Sequence, residues 1–427
     1  MTTKYDPCVT YDSLRERFAD VFQHISERAV QREQNRELAY DAVEALRGAG
    51  FGALRVPKHL GGAGVTLPQL FRLLIDLGEA DSNLPQIIRA HFGFVEGQIS
   101  ARDQVSQAYW LSKVASGQLW GAAMAERSGT SKISATITAS DSQDPGAGWK
   151  LNGEKYYSTG TLYADWIVAV AADGDDPVSM VVGAKAPGVT CADDWDGFGQ
   201  RLTGSGTTQF NNVAVPSEHI IRRFSAGEQR AEAYLSAFYQ LFHLANLAGI
   251  ARAVLRDATD FVKGRTRGFG IPGQSEPRND PLVQRIIGRL SSLAYSAETM
   301  VWGVADVLEN VHQAELENIA QEKHYVEADI RVFQAQQIVL AQVLEATTLL
   351  FEVGGASATS ETLRFDRHWR NARTLASHNP SIYRERALGD YYLNEVIPGS
   401  APQTTKADGG IAGNAPDSQT QSGGTDT

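Results

Sequence analysis

Three stretches of helical periodicity dominate the second half of this chain, at residues 232–263, 281–312 and 315–351, each more than about seven turns long. Helices of that length bury their apolar faces only against one another, so the region reads as a bundle. What precedes it has a different character. Between Trp120 and Pro216 the apolar runs are short and β-rich (132–139, 149–151, 166–172, 178–184 and 207–215) and are separated by Gly, Asp and Pro clusters. From Tyr11 to Ser116 the period is helical again, with Leu14, Phe18, Val21 and Phe22 on one face and a Gly-rich break at 61–64. The expected fold is therefore α+β and mostly α. It has an N-terminal helical domain over residues 1–118, a central β-barrel or sandwich over 119–229 and a C-terminal four-helix bundle over 230–398. Residues 399–427 read as a disordered tail, because Ile411 is the only large aliphatic side chain from Ser400 onward.

Charge and cysteine usage narrow the function classes. The chain has 39 basic and 50 acidic residues, a net charge of −11, with no basic stripe, which argues against nucleic-acid or anionic-membrane partners. Cys8 and Cys191 cannot build a disulfide framework or a Cys-based zinc site. The longest apolar run, 166–172, is far shorter than a membrane span, and no secretory signal is visible, so a cytoplasmic location is expected. The P-loop, the dinucleotide G-x-G-x-x-G, the G-x-S-x-G elbow and H-E-x-x-H are all missing. One E-x-x-H spacing exists, Glu309 to His312, where a di-iron bundle site needs two, so no metal is expected.

The order helices, β domain, bundle resembles the acyl-CoA dehydrogenase superfamily, and local strings agree. Val56-Pro57 with Gly61-Gly62-Ala63-Gly64, Ala123-Met124-Ala125-Glu126 with Gly129-Thr130-Ser131, the 151–160 strand and Arg265-Thr266-Arg267-Gly268-Phe269-Gly270 each resemble a family motif. Asp193-Asp194-Trp195, Gly199-Gln200-Arg201 and Ser205-Gly206-Thr207 are similar to the family's flavin-dependent monooxygenase branch, the branch of the dibenzothiophene monooxygenases. So are the 365–373 segment, His378-Asn379-Pro380 and Tyr383. One departure is that Gly121-Ala122-Ala123-Met124 follows Trp120 where the branch has a polar amide, so the substrate end of the pocket is expected to differ.

The resemblance implies a site in which His91, Ser158 and His378 surround the flavin ring and act in catalysis. Ser158, Trp195, Arg265, Arg267, Ser131 and Arg370 would bind the cofactor. Taken by the residues alone, His91 among Ile87, Ile88 and Ala90 reads equally as a core histidine, and His378 before Asn379-Pro380 as a turn residue. The other seven histidines, His243 included, read as surface or packing. The cofactor implied is reduced FMN, with FAD as the alternative, and O2 as co-substrate. It would work through a C4a-(hydro)peroxyflavin on a small, largely apolar substrate containing sulfur, nitrogen or an aromatic ring. With no nicotinamide fingerprint, a separate NAD(P)H:flavin reductase is implied as partner, and so is a homotetramer. The rival readings are an FAD-dependent acyl-CoA dehydrogenase or oxidase and a non-catalytic member of the fold. Dehydrogenation needs a carboxylate base, and no Glu or Asp stands in the expected place; Glu361 is the nearest and comes too early.

Overall fold

A computed structural model of the chain describes residues 10–101, 103–127, 133–140, 148–224, 233–266 and 276–398. Ser131, Arg267 and the 399–427 tail lie outside the described residues.

The N-terminal segment is α1 (Tyr11–Asn35), α2 (Tyr40–Gly48), α3 (Leu67–Ala80), α4 (Asn83–Ile99) and α5 (Gln104–Ala115). Their starts are written in the sequence. Thr10 and Thr66 each close a capping box, with Ser13 and Gln69, and Asp103 accepts from the first amides of α5. The strands β1 (Trp120–Ala123), β2 (Thr136–Ala139), β3 (Trp149–Lys155), β4 (Trp166–Asp173), β5 (Asp176–Gly183), β6 (Val189–Cys191), β7 (Thr208–Val215) and β8 (Ile220–Arg223) follow. They form one sheet in the order β6-β7-β3-β2-β4-β5-β8, with β1 parallel to β4 in the register Trp120↔Trp166. Residues from both halves of the sheet, including Ile137, Leu151, Ile167, Met180, Phe210 and Val213, meet in one interior, so the strands curl about a core of their own. The C-terminal segment is α6 (Ala233–Lys263), α7 (Pro281–Leu316), α8 (Glu322–Leu349), α9 (Asp366–His378) and α10 (Ser381–Asn394). The three long stretches of periodicity are α6, α7 and α8.

Two packing features position the site. The N- and C-terminal helices share one apolar core: Leu70, Phe71 and Leu74 of α3 sit in the same cluster as Phe238, Leu241 and Phe242 of α6 and Val332 and Val339 of α8. Between that core and the sheet lies α4, which is buried on every side. Phe94 and Val95 cluster with Trp110 of α5, Trp120 of β1 and Val181 of β5. The Phe94 ring stacks on Trp120 at 4.8 Å. A polar anchor holds the same end of α4. Glu96 accepts Arg55 Nε at 2.6 Å and the Tyr234 hydroxyl of α6 at 3.0 Å, with both members of the ion pair buried.

Candidate active site

The final turn of α9 places His378. The residue that follows, Asn379, precedes Pro380 and takes an extended conformation, which ends the helix and leaves His378 at its rim. There it meets α4 and α6. Arg89 Nη2 lies 3.3 Å from His378 Nε2, and the His243 ring is 4.3 Å from the His378 ring. The Arg89 guanidinium lies over the Tyr239 ring at 5.1 Å. Tyr239 in turn fills the space where Gly93 of α4 has no side chain: a Cβ there would stand 1.9 Å from the Tyr239 hydroxyl. The back of the cleft is a hydrogen-bonded set. Asn379 donates to Gln240 Oε1 at 2.8 Å, Gln336 Nε2 donates to the Asn379 carbonyl at 2.9 Å, and Arg384 donates to Gln336 Oε1 at 3.0 Å and also to Gln240.

Charge fixes the tautomer of His378. Arginine only donates, so Nε2 accepts from Arg89 and the ring proton sits on Nδ1, which donates to Asn379 Oδ1 at 3.2 Å. One edge of the ring is open, but protein crowds the rest; that burial first, then Arg89, brings its pKa down to about 4. His243 is pushed well below its usual value, by burial and then by His378, Arg89 and Arg384. Both histidines are neutral at pH 7.

On the sheet side the chain leaves β3 through Tyr157 at φ +60°, a conformation uncommon for a side chain of that size. This turn puts Ser158 inside, where its hydroxyl is fully buried and finds no hydrogen-bond partner among the described residues. Tyr157 itself is 53% exposed and lies against Trp195 at 6.0 Å, while Trp195 Nε1 donates to the Gly199 carbonyl at 3.1 Å. Nearby, Phe198 stacks on Trp369 of α9 at 5.9 Å, and both rings are solvent-exposed. An orphaned hydroxyl beside flat, open aromatic surface fits a planar heterocycle that accepts a hydrogen bond at its edge.

Several expected residues stand elsewhere. His91 faces away from the cleft. It follows Arg89 by two positions, about 200° around the helix, and both its ring nitrogens are taken. Nε2 donates to the Gly52 carbonyl at 2.9 Å and Nδ1 accepts from the Trp120 amide at 3.3 Å. Neither nitrogen is available to a substrate; His91 holds the start of β1. Arg370 is spent on Glu33 at 2.7 Å and Asp366 at 2.8 Å, and donates to the Phe198 carbonyl at 2.9 Å, so it clasps the 197–199 loop instead of presenting a free guanidinium to a phosphate. Among the described residues the Arg265 side chain meets the Gly354 carbonyl and the Phe261 ring, which leaves donors for a phosphate. It lies beyond the end of α6, however, about 30 Å along the helix axis from His243. Within one protomer it stands far from the cleft that holds His378. Glu361 projects into solvent, its side chain 88% exposed.

Two cleft residues were not foreseen, Arg89 and His243. Each is a polar residue inside an otherwise apolar helical run, and Tyr239 and His243 share a face by their i,i+4 spacing. That intrusion is the signal that marks them. Gly121 accounts for the missing amide after Trp120: a Cβ there would stand 2.8 Å from the Thr161 backbone.

Family models match the chain almost end to end: the acyl-CoA dehydrogenase N-terminal domain over 10–118, the middle domain over 121–213 and the C-terminal domain over 241–380. The chain belongs to the acyl-CoA dehydrogenase superfamily, in its flavin-dependent monooxygenase branch. A dibenzothiophene monooxygenase of Mycolicibacterium goodii is 26% identical over 388 residues, covering 86% of this chain and 91% of the relative. A probable FMNH2-dependent monooxygenase, SfnC, of Pseudomonas putida is 28% identical over 363 residues, covering 83% and 88%. The FMN-bound structure of TdsC from Paenibacillus sp. A11-2 superposes with a TM-score of 0.79 at 25% identity, over 90% of this chain and 98% of that one.

Two further histidines are buried in the neutral form, which sets an acid limit on stability. His91 and His368, the latter bound to Asp257 at 2.8 Å, both have pKa values lowered to about 4, chiefly by burial. The unfolded chain binds protons at these positions from about pH 6.5 downward while the folded one does not, so stability falls as pH falls through that window. Each group contributes a slope of up to about 1.4 kcal/mol per pH unit. Urea midpoints should drop between pH 7 and 5, above most carboxylate titration; a flat series would contradict the assignment.

Proposed function

We propose that this chain is the oxygenase half of a two-component system: it takes reduced FMN and O2 and transfers one oxygen atom to a small molecule held beside His378, the other leaving as water. The observation that carries this is the identity of the cleft residues. Where α,β-dehydrogenation of a thioester needs a carboxylate base, this cleft offers His378, His243, Arg89 and Tyr239, and no carboxylate pairs with any of its basic groups at contact distance among the described residues. The relatives named above as dibenzothiophene and FMNH2-dependent monooxygenases support the same reading.

A bound reduced flavin supplies the activation of O2, and the residues supply its setting. Ser158 would donate its spare hydroxyl to the edge of the ring. Tyr157, Trp195, Phe198 and Trp369 would wall the ring and exclude water, which limits wasteful release of hydrogen peroxide. His378, neutral with Nε2 toward the cleft, would take or return a proton there. Arg265 fits the flavin phosphate of a neighbouring copy. The exposed Leu282 and Tyr295 of α7, Ile338 of α8 and Ile382, Tyr383 and Leu393 of α10 supply apolar surface for a homotetramer.

The test is cofactor supply and the source of oxygen. The purified protein alone should consume no NADH; with a flavin reductase, FMN and NADH it should give a product carrying label from 18O2. Label arriving only from water, or FAD-dependent turnover of an acyl-CoA without reductase, would remove the proposal.

A further inference from the structure

Arg89 presents an imbalance that the fold does not correct. Its Nε is buried without a hydrogen-bond partner, and among the described residues no carboxylate pairs with it. Its protein contacts are a neutral imidazole nitrogen and the face of Tyr239. Arg384, of the same sign, enters from α10, and the neutral His243 and His378 face it from α6 and α9. Desolvation holds the pKa of Arg89 below its usual value, with only Tyr239 opposing. Other enclosed guanidinium groups of this chain are matched by carboxylates, Arg55 by Glu96, Arg32 by Asp81 and the half-buried Arg252 by Asp76. A half-buried cation without an anion pays for lost hydration, and a ligand of opposite charge offsets that cost.

A second observation points the same way. His243 is 2% exposed, and neither of its ring nitrogens has a hydrogen-bond partner. It stands 4.3 Å from His378, so an N–H donor without an acceptor lies beside a cation without an anion. A planar oxyanion satisfies both, because a guanidinium edge pairs with two oxygens at once and a neutral imidazole donates one more hydrogen bond. The space is small, since the Tyr239 hydroxyl already occupies the gap at Gly93.

We propose that this cleft seats a small organic oxyanion, a carboxylate or sulfinate headgroup held by Arg89 with His243 beside His378, and that the molecule oxygenated by this chain is therefore an anion. This rests on the oxygenase reading above, and it replaces the largely apolar substrate expected from sequence with a charged one.

Titration calorimetry on the FMN-loaded protein tests it. Ethanesulfinate and propionate are the anionic probes, one for each source of the headgroup; diethyl sulfone and propionamide are their neutral counterparts. At least one anion should bind more tightly than its neutral counterpart by about tenfold or more, and the better anion identifies the headgroup. Arg89→Gln should weaken that anion by roughly 10–100-fold, Arg89→Lys should restore part of it, and FMN affinity should stay unchanged in both. Equal binding of charged and neutral probes overturns the proposal, even if Arg89→Gln does not fold. So does full anion affinity in Arg89→Gln, or loss of FMN with anion binding retained, which would assign Arg89 to the flavin. Anion binding without 18O transfer would leave this site standing and remove the oxygenase reading instead.

Discussion

His378→Ala should slow oxygen transfer by about 10²–10⁴, the range set by general acid–base help, and so lower product formed per reduced flavin, with the missing turnover released as hydrogen peroxide. His378 closes α9 at the rim of the cleft, is neutral at working pH, and has one nitrogen directed inward while the other is tied to Asn379. Removing the ring leaves Arg89 and His243 in place and touches neither Ser158 nor the aromatic wall, so the variant should fold and bind FMN. The readout is coupling efficiency, and FMN affinity is the control. Unchanged coupling with intact flavin binding would place the proton chemistry elsewhere. His91→Ala should differ in kind: it frees the Gly52 carbonyl and the Trp120 amide and should lower stability before it changes coupling.

The second large effect is expected in folding. Glu96→Ala should destabilise the protein by about 3–5 kcal/mol, the usual cost of stranding one member of a buried ion pair. Arg55 would keep its charge in a site with 5% side-chain exposure, and the Tyr234 hydroxyl would lose its acceptor at the same stroke. The urea midpoint of the apoprotein measures this. Removing both charges, as in Arg55→Leu with Glu96→Leu, should recover much of the loss, because a well-packed apolar pair of similar volume is often neutral. A double variant no better than Glu96→Ala would mean that the cost is steric and not electrostatic.

The periodicity of the long helices was legible because each buries a continuous face, and α6, α7 and α8 lie where the apolar repeat puts them. The short strands were harder. β6 and β8 span three and four residues, and a period of two needs more length than that to register. The cleft divided in the same way. His378 and Ser158 sit in recognisable local strings. Arg89 and His243 sit in none, and their meaning comes from three elements that converge only in the folded chain. Arg265 shows the opposite case: a motif read as a string carries no address, and residue count times helical rise places it far from His243 on the same protomer.

The two faces of α4 have a consequence for redesign. His91 is wired to the sheet and Arg89 opens on the cleft, two residues apart on one buried rod. Such a helix works as a partition wall with separate fittings on each side. The ligand charge accepted by this scaffold can then be rewritten at residue 89, with the flavin-side frame left undisturbed, whereas any attempt to retune the same pocket through residue 91 would loosen the wall itself.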